Sequence, residues 1–259
     1  MTNTLSSIAK RTGIVALAAI AAVLVFLAPA LAAADFAVIT TDEVKKFIDQ
    51  KENVVLIDAR TPEEFKEAHI VGSVNIPEKG FEQAAAQLPA DKKTLLVFYC
   101  NGVKCGKSKR VAQKVAPLGY TAILIYKEGI PVWEERNLPL VTGPGYGKKI
   151  ETTKLRPNEL DSLIKAADSD YVLVDVRDEA EFKEGHIPTA INIPAETLAT
   201  KSDILPKEKK IIVYCNTGSR SYLAYKKLIG LAYPHIYQAL FAEWKEAGLP
   251  VAGPKTAKK

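Results

Sequence analysis

Ile211-Ile212-Val213-Tyr214-Cys215-Asn216-Thr217-Gly218-Ser219-Arg220-Ser221 runs from an apolar stretch rich in β-branched residues into a short polar one. Tyr222 to Ile229 follows, with Leu223, Ala224 and Leu228 spaced for one side of a helix. The apolar stretch predicts a buried parallel strand and its sequel a helix, so Cys215 stands where the strand hands over to the helix. Asn216, Thr217, Gly218 and Ser219 favour a tight loop whose backbone N–H groups can turn inward, and the unpaired N–H groups of the helix start point the same way. Such a cradle binds an anion and favours a thiolate. Helix N-termini and nearby cations bring a cysteine pKa from about 8.5 down to about 3.5–7.5. With Arg220 close by, Cys215 is expected to be a nucleophile rather than a small buried core residue. Arg220 is expected to steer and hold an anionic donor rather than to be a solvated charge.

Working outward, most features near this stretch occur twice. Val54-Val55-Leu56-Ile57-Asp58-Ala59-Arg60 matches Tyr171-Val172-Leu173-Val174-Asp175-Val176-Arg177, each an apolar run ending on Asp-x-Arg. Glu64-Phe65-Lys66-Glu67-Ala68-His69-Ile70 matches Glu181-Phe182-Lys183-Glu184-Gly185-His186-Ile187, and Asn75-Ile76-Pro77 matches Asn192-Ile193-Pro194. Leu95 to Cys100 matches the strand into Cys215, and Trp133 to Pro139 matches Trp244 to Pro250. A capping box at Thr40-Thr41-Asp42-Glu43 opens the first copy, and Asn158 is expected to open the corresponding helix of the second. The chain therefore duplicates a unit of about 110 residues. Alternating strand and helix patterns give each copy an α/β architecture, a parallel β-sheet flanked by helices, with the site in loops at the strand C-termini. The expected boundaries are residues 36–141 and 150–253, joined by a Gly-rich linker at 142–149.

Three separated motifs, Asp175-Val176-Arg177 to Pro194, the loop Cys215 to Ser221, and Trp244 to Val251, resemble the rhodaneses, sulfurtransferases that carry sulfur as a cysteine persulfide. The resemblance covers nearly all of residues 36–253 and makes the chain similar to a tandem rhodanese-like protein. Cys215 to Arg220 has the C-x4-R spacing of rhodanese loops, whereas tyrosine and dual-specificity phosphatases use C-x5-R. The resemblance implies that Asp175–Arg177 and Asp58–Arg60 are structural ion pairs bracing the site loops, and that His69 and His186 lie in a turn after a helix rather than serving as a base or metal ligand. Trp133 and Trp244 are expected to close the two cores.

The first copy departs from this pattern. Cys100-Asn101-Gly102-Val103-Lys104-Cys105-Gly106-Lys107-Ser108 is two residues longer before the matching serine and has no arginine. Counted from the first cysteine, Cys105 stands at the cationic position, while Lys104 and Lys107 keep the loop basic. Three readings remain open for Cys100 and Cys105: a redox-active or sulfur-relay dithiol, a second persulfide site, or a structural disulfide. Tandem rhodaneses often keep one working copy and one silent one.

Ahead of both copies, Lys10 and Arg11 precede an apolar run and Ala30-Leu31-Ala32 offers a small-x-small site. Residues 1–33 are thus expected to be a cleaved export signal, giving a periplasmic protein without stable membrane insertion after processing; the alternative is an uncleaved anchor. The net charge of +5 is modest and residues 254–259 form a basic tail, with no basic helix suited to nucleic acid. Three cysteines are too few for a disulfide framework across two domains. The expected activity is transfer of sulfane sulfur from thiosulfate or a persulfide, an anionic donor, to a thiol, cyanide or protein acceptor through Cys215, with neither metal nor organic cofactor. Handling of selenium or tellurium oxyanions by the same chemistry, a dithiol redox protein, and a non-catalytic binding module are the competing readings.

Overall fold

Strand alternation builds both halves of the molecule. In the strand before Cys100, Leu96, Phe98 and Cys100 pack into one apolar cluster and Val97 and Tyr99 into another. In the strand into Cys215, Ile211, Val213 and Cys215 face one cluster and Ile212 and Tyr214 the other. Both faces of each sheet are therefore covered, as an all-parallel sheet requires. The computed structural model describes residues 35–166 and 170–253. The expected export signal and basic tail lie outside the described residues. No helix among the described residues is long and apolar enough to cross a membrane.

The first copy runs β1 (Ala37–Ile39), α1 (Thr41–Asp49), β2 (Val54–Asp58), α2 (Pro62–Glu67), β3 (Ala68–Ile70), β4 (Val74–Asn75), α3 (Phe81–Ala84), β5 (Leu95–Tyr99), α4 (Lys107–Val115), β6 (Ile123–Tyr126), α5 (Gly129–Glu135) and β7 (Leu140–Thr142). Its parallel sheet has the order β1-β6-β5-β2-β4. The second copy runs α6 (Pro157–Lys165), β8 (Tyr171–Asp175), α7 (Glu179–Glu184), β9 (Ile191–Asn192), β10 (Lys210–Cys215), α8 (Ser219–Gly230), β11 (Ile236–Leu240) and α9 (Phe241–Glu246). Its parallel sheet has the order β11-β10-β8-β9, and a bridge from Lys154 to Gln238 stands where the first copy has an edge strand. Trp133 and Trp244 are buried, and their indole N–H groups donate to Pro139 O at 2.9 Å and Pro250 O at 2.8 Å.

Thr40 caps α1 as expected, its side chain and that of Glu43 satisfying each other's backbone N–H groups. Three local expectations are corrected. Asn158 lies inside the first turn of α6, because Pro157 fits the first helical position and Glu159 accepts the N–H of Arg156 at 2.8 Å. Thr142 still belongs to β7, paired with Ala68, so the connection between copies starts one residue later than 142. His69 and His186 sit in short antiparallel pairings rather than in a free turn: His69 is in β3 against β7, and His186 bridges Ala252. Each imidazole stacks on the phenylalanine four residues earlier, and its Nδ1 contacts that residue's carbonyl oxygen at 2.8 or 2.9 Å.

The two copies are packed against each other. Val132 of α5 belongs to the second copy's apolar cluster. Glu135 accepts the N–H groups of Ala199 at 2.8 Å and Thr200 at 2.9 Å, and pairs with Lys227 at 2.6 Å. Lys227 also donates to Ala195 O at 2.6 Å.

Candidate active site

Cys215 ends β10, and its sulfur is the focus of the following loop. Gly218 N–H donates to Sγ at 3.2 Å and Ser221 N–H at 3.3 Å, while the thiol lies 3.4 Å from Ser221 Oγ. Two backbone donors thus converge on one sulfur at the start of a twelve-residue helix, where backbone dipoles are aimed at any negative charge carried there. Gly218 makes this geometry possible, since its φ of +110° is a left-handed conformation that side chains resist. Asn216 O accepts the N–H of Ala242 at 3.1 Å, which ties the loop to α9. Thr217 and Ser219 complete the turn, Ser219 opening α8.

A further residue holds the loop from beneath. Gln238, 4 % exposed in the middle of β11, donates from Nε2 to Gly218 O at 3.0 Å and Ser221 Oγ at 2.8 Å, and its Oε1 accepts from Thr152 Oγ1 at 2.7 Å. The sequence signal was a glutamine inside the apolar run Ile236-Tyr237-Gln238-Ala239-Leu240, because a buried amide must find partners. In the first copy, Phe98 precedes Cys100 as Val213 precedes Cys215. Phe98 faces Ile125 where Val213 faces Gln238, so the first loop lacks this brace.

Arg220 departs from the expected free anion clamp. Its guanidinium is bonded by both oxygens of Glu181, at 2.5 and 2.9 Å, and approaches Asp178 at 3.4 Å. The arginine hydrogen bond, opposed by partial burial, holds the Glu181 carboxyl below the usual carboxylate range. The positive charge beside the cradle is therefore already compensated. Arg220 also lines a cleft of about 420 Å³ together with Leu223, Lys226, Glu64, Asn101 and Ile130. Leu223 is 53 % exposed, correcting its expected place on the buried side; Ser221, Ala224, Tyr225 and Leu228 form that side.

The Asp-x-Arg pairs are structural, but their bracing is indirect. Arg177 donates to Asp175 Oδ2 at 2.5 Å and to Gly185 O at 2.7 Å, and its guanidinium lies 4.2 Å from the Phe241 ring centre. It reaches the Cys215 loop through neighbours: Phe241, the residue before Ala242, whose N–H meets Asn216, and Tyr214, the residue before Cys215, whose ring centre lies 5.8 Å away. Arg60 makes the matching bonds to Asp58 Oδ2 and Ala68 O, both at 2.6 Å.

In the first copy, Cys100 Sγ lies 3.4 Å from Ser108 Oγ, as Cys215 does from Ser221. Registered on these serines, Lys107 and not Cys105 is the counterpart of Arg220: Lys107 pairs with Glu64 at 3.2 Å as Arg220 pairs with Glu181. The inserted residues fall between Cys100 and the helix, so counting from the cysteine misplaced the cation. Lys104 instead reaches Leu205 O of the second copy at 2.6 Å, and Asn101 Nδ2 donates to Gly230 O at 3.0 Å. Cys100 and Cys105 carry free thiols rather than a disulfide. Burial and the neighbouring Cys105 push the Cys100 thiol up. Cys105 is brought down to about 6 by its hydrogen bond with Cys100, against burial and with help from the N–H groups of Lys107 and Asn101.

The Rhodanese-like domain matches residues 40–136 and 156–247, one match on each copy. The chain belongs to the rhodanese family. Among relatives, it is 33 % identical over 104 residues to a sulfurtransferase of Allochromatium vinosum, covering 38 % of this chain and 97 % of that protein. It is 32 % identical over 78 residues to the thiosulfate sulfurtransferase GlpE of Coxiella burnetii, covering 29 % of this chain and 73 % of that protein. Among solved structures, a thiosulfate sulfurtransferase from Pseudomonas aeruginosa aligns at a TM-score of 0.38 and 22 % identity, over 85 % of this chain and 44 % of that one. The tandem rhodanese-like architecture is thus established, with sulfurtransferases among the relatives.

Proposed function

We propose that this rhodanese is a sulfurtransferase whose working nucleophile is Cys215, moving sulfane sulfur from thiosulfate or a persulfide donor to a thiophilic acceptor. The observation that carries the reading is the convergence of the Gly218 and Ser221 N–H groups on Cys215 Sγ at the N-terminus of α8. The thiolate attacks the outer sulfur of thiosulfate, the S–S bond breaks, and sulfite leaves with the electron pair. The outer sulfur remains on Cys215 as a persulfide whose negative charge the loop N–H groups stabilise. An acceptor, a thiolate or cyanide, then attacks that sulfur and returns Cys215 to the thiolate. Neither half-reaction needs a proton from a histidine, in keeping with the structural placement of His69 and His186. Export directed by residues 1–33 would put this chemistry in the cell envelope.

The test is thiocyanate formation from thiosulfate and cyanide. Cys215→Ser is expected to abolish most of it and Cys100→Ser to leave a substantial part. A dead Cys100 variant beside an active Cys215 variant would assign the transfer to the first copy instead.

A further inference from the structure

The first copy keeps the strand, the helix and the serine of a sulfur-transfer loop but adds a second cysteine to the loop. Cys100 Sγ lies 3.4 Å from Ser108 Oγ, as Cys215 Sγ does from Ser221 Oγ, but a second sulfur, Cys105, stands in the same loop where the second copy has none. Cys100 is 2 % exposed, and its thiol also lies 3.4 Å from the carbonyl oxygen of Cys105. The Cys105 side chain is partly exposed. Cys105 is therefore the more accessible of the two thiols. Lysines of both copies meet at this loop: Lys104 donates to Leu205 O at 2.6 Å, two residues from the partly buried Lys207, and Lys107, paired with Glu64 at 3.2 Å, opens the following helix. A paired dithiol inside a cationic rim suits a doubly charged sulfur compound.

We propose that Cys105 and Cys100 form a second, reductive site that converts the outer sulfur of an anionic sulfane-sulfur compound such as thiosulfate to hydrosulfide. Cys105 thiolate attacks the outer sulfur, the S–S bond of thiosulfate breaks, and sulfite leaves with the electron pair. Cys100 then gives up its proton and attacks the Cys105 sulfur. The bond from Cys105 to the outer sulfur breaks, and that sulfur departs with the pair and takes the proton as hydrosulfide. The two thiols supply the two electrons and end as a Cys100–Cys105 disulfide, which a thiol or dithiol reductant resets. This division of labour gives Cys105 the entry role and Cys100 the resolving role, and it holds whether or not Cys215 transfers sulfur.

The experiment uses the full chain with Cys215→Ser, reduced, freed of reductant without air, and given thiosulfate. One hydrosulfide per chain and a mapped Cys100–Cys105 disulfide are expected. Adding Cys100→Ser should stop hydrosulfide release and leave one extra sulfur on Cys105; adding Cys105→Ser should give neither product. Because serine at buried Cys100 can disturb folding, a second measurement alkylates Cys105 selectively near neutral pH in the Cys215→Ser chain, after which hydrosulfide release should vanish. A persulfide building up on Cys100 in the Cys105→Ser chain would overturn the proposal. So would a Cys215→Ser chain that stays reduced and releases no hydrosulfide, or an alkylated chain that still releases it.

Discussion

Replacing Glu181 by glutamine removes one charge and keeps one shape, and under the proposed transfer from thiosulfate it should improve capture of that donor. Glutamine serves the third helical position of a capping box as glutamate does, so the contact of Glu181 with Asp178 N–H at 3.2 Å survives and α7 keeps its start. What changes is Arg220, which loses its principal counter-charge. A charge-assisted hydrogen bond is worth about 1.5–3 kcal/mol where water is excluded. Arg220 and Glu181 are 35 % and 34 % exposed, and solvent screening brings the pair down to about 0.5–1 kcal/mol. Made available to an anionic donor instead, that amount corresponds to about a two- to fivefold lower KM for thiosulfate at unchanged kcat. Asp178, 72 % exposed and 3.4 Å away, offsets little of it. The assay is initial-rate thiocyanate formation against thiosulfate concentration for wild type, Glu181→Gln, and Glu181→Gln with Arg220→Ala. The gain should vanish in the double variant and shrink with added salt. A KM for Glu181→Gln equal to or above that of wild type would refute the reasoning that Glu181 and the donor compete for one guanidinium.

Gly218→Ala forces a side chain into a φ of +110°, at a cost of about 1–2 kcal/mol, and misdirects an N–H from Cys215; a lowered midpoint in thermal denaturation together with slower alkylation of Cys215 is expected, and an unchanged pair of values would contradict the cradle. Glu135→Ala strips the N–H groups of Ala199 and Thr200 and the ammonium of Lys227 of a buried carboxylate that is 4 % exposed. Breaking such a pair costs about 3–5 kcal/mol, toward the lower end here because Lys227 is partly solvated, and urea denaturation should show the loss. Alkylation of Cys105 should rise with pH through about 6 and level off, with Cys100 unreactive in the same range. Since the folded Cys105 thiol titrates below an ordinary unfolded one, its contribution to stability is present at high pH and is lost as pH falls through about 6; a midpoint in the ordinary thiol range, near about 8.5, would count against the dithiol geometry.

The fold was legible because its signals are local. The continuous burial of Ile211 to Cys215, the Thr40 capping box, and the twice-written Asp-x-Arg and Trp motifs each follow from a few neighbouring residues. What the sequence hid is what depends on distant partners. Leu223 has the spacing of a core residue, yet it lines the cleft that α8 shares with the first copy. Arg220 could be read as a clamp until Glu181, 39 residues earlier, closed on it. Lys107 was concealed by an insertion, since only the contacts of Ser108 and Glu64 reveal which end of the loop keeps register. Gln238 was visible as a polar residue in an apolar strand, but which groups it would satisfy depended on where the loop of another element came to rest.

The central claim is that Cys215 carries the transferred sulfur, and peptide mapping of the wild-type chain after exposure to thiosulfate tests it most directly. The peptide containing Cys215 should gain one sulfur atom, and brief treatment with cyanide should remove it with release of an equal amount of thiocyanate. A Cys215 peptide that stays unmodified while thiocyanate is still formed would contradict the account.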